Sequence, residues 1–374
     1  MSAAVSHYSK GFWQLTWRRL AMDRVGVVSL IIVLMFFMII LFSAFGLIAS
    51  DWNHEVAIND APPDLWGILT DKHTSVIQPS SNNTLSEISE PLPELSVVDP
   101  LAEDIAKLRT PIDFSSHIID PLADTLRDIG YSQYVSTDPT TIEKRTSLPF
   151  GGDRWGRDVL KKTIKGTQTS LFVGLTAALL ATFLGTLFGA FAGYYGSYID
   201  DTLNWIYSVF NAIPYLLLVL AIAAVLQKRG IATVVLILGL TGWTGVFRLI
   251  RAEYMKHRAR EYVMAARAFG VSSLRIMFIH ILPNVSHIVL VEISILTVAF
   301  IKSEVILSFL GFGVAVDDVS WGSMLNDAQS ELILGHWWEL VAAGGAMALL
   351  VTAFSLFTDA IRDALDPKAQ GAGA

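Results

Sequence analysis

Cysteine is missing from all 374 residues, which removes disulfides, thiolate nucleophiles, iron–sulfur clusters and cysteine zinc sites. Charge is scarce: Asp, Glu, Lys and Arg make up 16% of the chain, against about 25% in an average soluble domain. No GxxxxGK[ST] segment occurs, so there is no loop to cradle nucleotide phosphates. HExxH is also absent, and the eight histidines (7, 54, 73, 117, 257, 280, 287, 336) are scattered, His280 and His287 standing on either side of Pro283; a shared metal is not expected. Lys+Arg number 27 and Asp+Glu 34, a net charge of -7, without the basic excess that nucleic-acid binding needs. What the chain does have is apolar bulk, 53% hydrophobic residues with mean hydropathy +0.51. A soluble enzyme does not fit; a membrane protein does.

The charge is segregated. Residues 51–150 hold 17 acidic side chains (11 Asp, 6 Glu) and 6 basic ones, net -11, leaving 17 acidic and 21 basic, net +4, for the other 274 residues. A basic, apolar protein is interrupted by an acidic, polar insert.

Val25 to Ala49 carries no charge over 25 residues and as a helix reaches roughly 37 Å, enough for a hydrocarbon core of about 30 Å. It is too long for the apolar region of a cleaved signal peptide and predicts an uncleaved first span. Five more apolar stretches follow, at about 170–195, 203–226, 231–250, 285–301 and 338–361. The expected architecture is an all-α polytopic membrane protein with six transmembrane helices, an extracytoplasmic insert (50–150) between the first and second, and an interfacial segment at 151–169. Residues 170–366 form the expected membrane core, with a cytoplasmic loop at 251–284, between an N-terminal segment (1–24) and a tail (367–374). Lys10, Arg18, Arg19 and Arg24, seven basic residues in Arg248–Asn284, and Arg362 with Lys368 share one face. The positive-inside rule makes that face cytoplasmic, both termini included. Arg154, Arg157, Lys161, Lys162, Lys165, Lys228 and Arg229 then fall outside.

Within the spans, Gly185, Gly189 and Gly193 make a small-xxx-small face for close helix packing. Pro214 interrupts the third apolar stretch just after Asn211 and predicts a kink. Glu292 and Glu304 are costly in a membrane and face a cavity or a partner, so Glu292, Glu304, Asn211 and Pro214 are candidate pathway-lining residues. For Glu304 the alternative is a pair with Lys302 snorkelling to the outer interface. In the insert, Asp99-Pro100, Asp120-Pro121 and Asp138-Pro139 resemble N-cap–N1 pairs and predict three short helices. The Ser/Asn/Pro-rich stretch within 71–94 reads as linker. The insert is either a docking surface for an extracytoplasmic partner or a solvated cap.

The segment Arg251–Asn284 predicts two helices parted near Gly270, the first over Glu261–Phe269, with Gly270 as C′ residue and Ser272 or Ser273 capping the second. Its physics alone allows insertion into a groove on another protein or adsorption to anionic headgroups. The pattern Glu261-Tyr262-Val263-x-Ala265-Ala266-x-x-x-Gly270, then Ile276, His280 and Leu282-Pro283-Asn284, closely resembles the EAA loop of binding-protein-dependent ABC-transporter permeases, in the form of the dipeptide and oligopeptide permease C subunits. Three further stretches resemble the same subfamily. Phe150–Leu160 is similar to its LGTDxxGRDVL segment, with Gly152 for threonine; Glu304–Gly313 to ExxLSFLGxG, followed by Ser320–Leu325; and Ile361–Pro367 to LRDALDP, preceded by Phe357-Thr358-Asp359 where glycine-aspartate is commoner. The acidic insert has no counterpart among these motifs.

The resemblance implies a type I ABC importer permease fold in the bacterial cytoplasmic membrane. The chain itself would hold no cofactor and be no enzyme, ATP and Mg being bound by two cytoplasmic ATPase subunits. The other partners are a homologous second permease, an extracytoplasmic substrate-binding protein and membrane lipid, with no nucleic acid. Tyr262, Ala265, Ala266, Phe269 and Gly270 would face the ATPase, Glu261 would support the loop, and Leu282-Pro283 would set the return into span five. Asp317, Asp318 and Trp321 are candidate contacts to the binding protein, although Asp317-Asp318 also reads as a solvated pair; Asp200-Asp201 reads as a solvated turn. Peptide is the implied cargo, with nickel, opines or antimicrobial peptides as alternatives on the same fold. A stand-alone channel or ion-coupled carrier would call for an inverted repeat or a series of intramembrane carboxylates. A membrane enzyme would call for a nucleophile–base grouping, which the motifs do not supply.

Overall fold

The computed structural model describes residues 20–64, 73–74, 144–315 and 317–365. Two compact units divide the chain, 1–72 with 145–374, and 73–144. Of the second unit only His73, Thr74 and Lys144 are described, in strand conformation. The three Asp-Pro helix starts expected in the insert lie outside the described residues.

The first unit is helical. α1 (Arg24–Ala44) opens on Asp23, whose carboxylate accepts from the Val25 amide. It stops at Ala44, five residues short of the uncharged run. Gly46 there takes φ 71°, and the amides of Gly46 and Leu47 turn back to the carbonyls of Ser43 and Phe42, the closure that glycine in the left-handed region permits. α2 (Val159–Tyr195) has 37 residues and begins eleven before the expected span, because Asp158 caps the amides of Leu160 and Lys161. At about 1.5 Å per residue it reaches roughly 55 Å, well beyond a hydrocarbon core of about 30 Å, so residues 159–169 extend a span.

α3 (Ser197–Ala212) and α4 (Tyr215–Leu226) meet at 87°. The expected kink is a full break: Pro214 donates no amide, and Ile213 before it is extended at φ -100°, ψ 131°, the conformation that a following proline enforces. α5 (Ile231–Thr241) and α6 (Thr244–Arg258) bend by 40°, so α6 carries a helix through residues expected in a cytoplasmic loop. α7 (Glu261–Ala268) is short. α8 (Ser273–Phe309) is a continuous 37-residue apolar helix containing a π turn at Ile276–Ile281. That wider turn is how the helix passes Pro283 without breaking. The helix that leads into span five therefore starts at Ser273, nine residues before Leu282. α9 (Trp321–Ile333) starts from a reciprocal capping box of Ser320 and Ser323, and α10 (Trp338–Leu365) is the last helix.

Among the described residues four helices, α1, α2, α8 and α10, are long and apolar enough to cross a membrane, or up to six spans if each bent pair counts as one. The glycine face of α2 receives α6. A Cβ at Gly189 would lie 2.8 Å from the Phe247 carbonyl oxygen, and one at Gly193 2.5 Å from that of Arg251. One apolar cluster joins α1, α2, α8, α9 and α10 around Trp321, Phe36 and Leu171. Another joins α2, α6, α7 and α8 around Tyr254, Val263, Ile276 and Met277.

Candidate functional site

The candidate residues divide between the two ends of α2. At its C-terminal end lies the α6–α7–α8 corner. Val263 is wholly buried and fixes α7 to the cluster behind it. The buried Tyr254 hydroxyl donates to the Met277 carbonyl at 3.1 Å, tying α6 to α8, and Arg251 binds Asp200 through two nitrogens at 2.6 and 2.7 Å, tying α6 to α3. Asp200, expected in a solvated turn, is thus a structural ion-pair partner. The Arg267 guanidinium lies 5.6 Å from the Tyr194 ring centroid.

On this support α7 presents one face outward. Phe269 is 88% exposed and Tyr262 39%, with Glu261 and Ala265 exposed beside them. Tyr262 Oη is 2.8 Å from His257 Nδ1. Partial burial holds its phenol above the ordinary value, opposed by the Arg260 charge and a hydrogen bond with Asn284. Gly270 has φ 75°, and the Val271 amide returns to the Ala266 carbonyl at 3.1 Å, closing α7 as the sequence predicts. Ala266 and Leu282 instead lean on the cluster around Tyr254, and Pro283 is exposed on α8, ten residues past its start.

At the opposite end of α2 the structure assembles a group that no motif predicted. Lys162, 4% exposed, has Nζ 2.7 Å from Glu339 Oε1, 3.1 Å from Asp153 Oδ2 and 3.3 Å from Asp327 Oδ2. Asp153 and Glu339 are wholly buried, and Glu331 is 2% exposed. Asp153 also accepts from the amides of Trp155 and Arg157 at 2.9 Å, Glu331 accepts from the Arg154 amide at 3.1 Å, and the Arg154 guanidinium pairs with Asp327 at 3.2 Å. One cation thus joins the heads of α2 and α10, the middle of α9 and the turn before α2. A sequence signal existed: Lys162 shares a helix face with Gly166, Ser170 and Val173, all buried.

The remaining expected site residues are dispersed. Glu304 is wholly enclosed, its oxygens accepting from Ser308 and Ser170 hydroxyls at 2.7 Å. Among the described residues no ion pair links it to Lys302, which is exposed on α8; two serine hydroxyls hold the Glu304 carboxyl group instead of that alternative partner. Glu292 is half-buried, and Asn211 and Pro214 are exposed at the α3–α4 break. Asp317 and Asp318 are exposed on the α8–α9 link. Trp321, expected beside them as an outward contact, is wholly buried: its Nε1 donates to the Thr163 carbonyl at 3.3 Å and its ring meets Phe36 edge-on. A capped helix start points it into the core.

This layout, a short exposed helix braced at one end of a polytopic bundle, can be set beside known proteins. Residues 185–371 match the family described as binding-protein-dependent transport system inner membrane component, and residues 11–63 match the N-terminal transmembrane domain of oligopeptide transport permease C. The dipeptide transport system permease protein DppC of Bacillus subtilis is 39% identical over 219 residues, covering 59% of this chain and 68% of that protein. The oligopeptide transport system permease protein OppC of the same organism is 34% identical, covering 59% and 71%. OppC of Mycobacterium tuberculosis is 35% identical, covering 58% and 75%. The chain belongs to the family of binding-protein-dependent transport system inner membrane components.

Proposed function

We propose that this chain is a permease subunit of an ABC importer that moves short peptides across the bacterial cytoplasmic membrane, with both termini and α7 on the cytoplasmic side. The observation that carries the reading is the α7 corner. A helix of eight residues exposes Tyr262 and Ala265, with Phe269 exposed at its C-cap, while Val263 locks it to the spans, so force on its outer face reaches α2, α6 and α8. Partner ATPases would hold ATP and Mg and receive that face in a groove; a second permease would complete the pathway and an extracytoplasmic binding protein would deliver the cargo. The relatives named for dipeptide and oligopeptide transport support peptide as that cargo.

The test is reconstitution of the complete complex in proteoliposomes, reading ATP hydrolysis and uptake of a labelled dipeptide together. Gly270→Val forces a β-branched residue into the left-handed region and should separate the two, hydrolysis persisting while uptake falls at least tenfold. Full uptake by this variant would refute the coupling role; absence of uptake of any peptide by the wild type would refute the cargo.

A further inference from the structure

Next to the Lys162 group lies a cavity of about 410 Å³, within the roughly 300–1,000 Å³ typical of small-molecule sites. Its walls come from segments far apart in sequence: Trp52, the turn 154–157, Arg229 between α4 and α5, the α8–α9 link with Asp317 and Asp318, and α9. The Gly230 amide donates to the Gly313 carbonyl at 3.2 Å, which holds the Arg229 link against the link that carries the two aspartates.

The charges on these walls are unequally committed. Lys162 is engaged by three carboxylates, and Arg154 and Asp327 pair with each other. Arg157 has its Nε buried without a hydrogen-bond partner, and Arg229, Asp317 and Asp318 are exposed. Among the described residues no ion pair joins either arginine to either aspartate. Two guanidiniums and two carboxylates thus face one cavity without meeting, and Trp52 and Trp155 add aromatic surface. A ligand of one sign would satisfy one pair and be repelled by the other. A small molecule with a carboxylate at one end and an ammonium at the other satisfies both, guanidinium taking carboxylate in its preferred forked geometry.

We propose that this cavity binds the zwitterion of a short peptide, its α-carboxylate on Arg229 and Arg157 and its α-ammonium on Asp317 and Asp318. The inference rests on the peptide-import reading and gives the permease a capture site of its own at the end of α2 opposite α7. The dimensions agree. A sphere of this volume is about 9 Å across, enough to hold an extended dipeptide, which spans about 7 Å at about 3.3–3.6 Å per residue.

The experiment measures binding of dialanine, N-acetyl-dialanine and dialanine amide to the purified permease–ATPase complex in nanodiscs without binding protein, by titration calorimetry. Free dialanine should bind at least tenfold more tightly than either blocked form. Arg229→Gln should erase the penalty for amidation but keep that for acetylation, and Asp317→Asn with Asp318→Asn should do the reverse. Equal affinity of all three peptides for the wild-type complex, or no binding of any, overturns the site without recourse to a variant. Uptake of labelled dialanine by the complete transporter is measured in parallel. Uptake without binding discards the cavity and leaves the import reading standing, whereas failure to import any peptide discards both.

Discussion

Lys162 Nζ and Glu339 Oε1 stand 2.7 Å apart with both side chains at most 5% exposed, joining the first turns of α2 and α10 inside the protein. Removing one member of such a pair strands a charge away from water and costs about 3–5 kcal/mol. Lys162→Met leaves the buried Asp153 and Glu339 without their cation, so detergent-solubilised protein should unfold at markedly lower temperature. The neighbouring Lys161 pairs with Asp51 at 2.6 Å, but the two are 35% and 47% exposed, and an exposed pair contributes about 0–1 kcal/mol. Lys161→Met should therefore be nearly silent in the same melt. Equal losses would show that the Lys162 group is not the clamp described.

The glycines of α2 give a second pair of opposite outcomes. A Cβ at Gly189 would meet the Phe247 carbonyl oxygen at 2.8 Å and the Arg251 amide nitrogen at 3.0 Å. Backbone cannot yield as a side-chain tip can, so Gly189→Val should cost more than the roughly 1–3 kcal/mol of ordinary overpacking and cut the yield of folded protein. Gly245 on α6 has nothing within 4 Å of an added Cβ. Gly245→Ala should be neutral or stabilise by up to about 1 kcal/mol, since alanine is the better helix former. Thermal unfolding of both variants settles the pair.

These examples also show what kind of structure was readable beforehand. Uncharged runs, small-residue spacing and a terminal glycine are local signals, so α1, the close-packing glycine face of α2 and the end of α7 at Gly270 could be read directly, though not that α6 is the helix that packs on that face. Lys162 could not be placed the same way. Charge counting put it on the outer side as one more basic residue, whereas its burial depends on carboxylates 165 and 177 positions away. Trp321 was misjudged for a related reason: its neighbours Asp317 and Asp318 are solvated, and the Ser320 cap then turns the chain inward. The break at Pro214 exceeded a kink because the residue before a proline is itself driven out of the helical region. In each case the deciding partner lay elsewhere in the chain or in the backbone.

Asp51 sets a pH dependence of known sign. The hydrogen bond from Lys161 holds its carboxyl below the ordinary value of 3.8, against the opposing effect of burial. A carboxyl lowered in the folded state stabilises above its unfolded pKa and loses that contribution as pH falls through the folded value. Wild-type protein and Asp51→Asn should therefore differ slightly above about pH 4 and converge below it. The difference stays small because the pair is half-exposed. A gap between the two melting curves that widens on acidification would contradict the assignment.

Phe269 and Val263 lie six residues apart and face opposite ways, one 88% exposed and the other wholly buried. Val263→Ala removes buried methyl groups from the cluster around Tyr254 and should cost about 2 kcal/mol of stability. Phe269→Ala removes only exposed surface, a change expected to stay within about 0.5 kcal/mol in the isolated chain. If the outer face of α7 seats in an ATPase groove, the order reverses in the complex. An apolar anchor at the centre of an interface is worth about 2 kcal/mol or more, so Phe269→Ala should weaken ATPase association at least tenfold. Melting of the isolated permease and titration of its ATPase partner separate the two effects. A Phe269→Ala protein that melts early and still binds ATPase normally would mean that α7 serves the fold and not the partner.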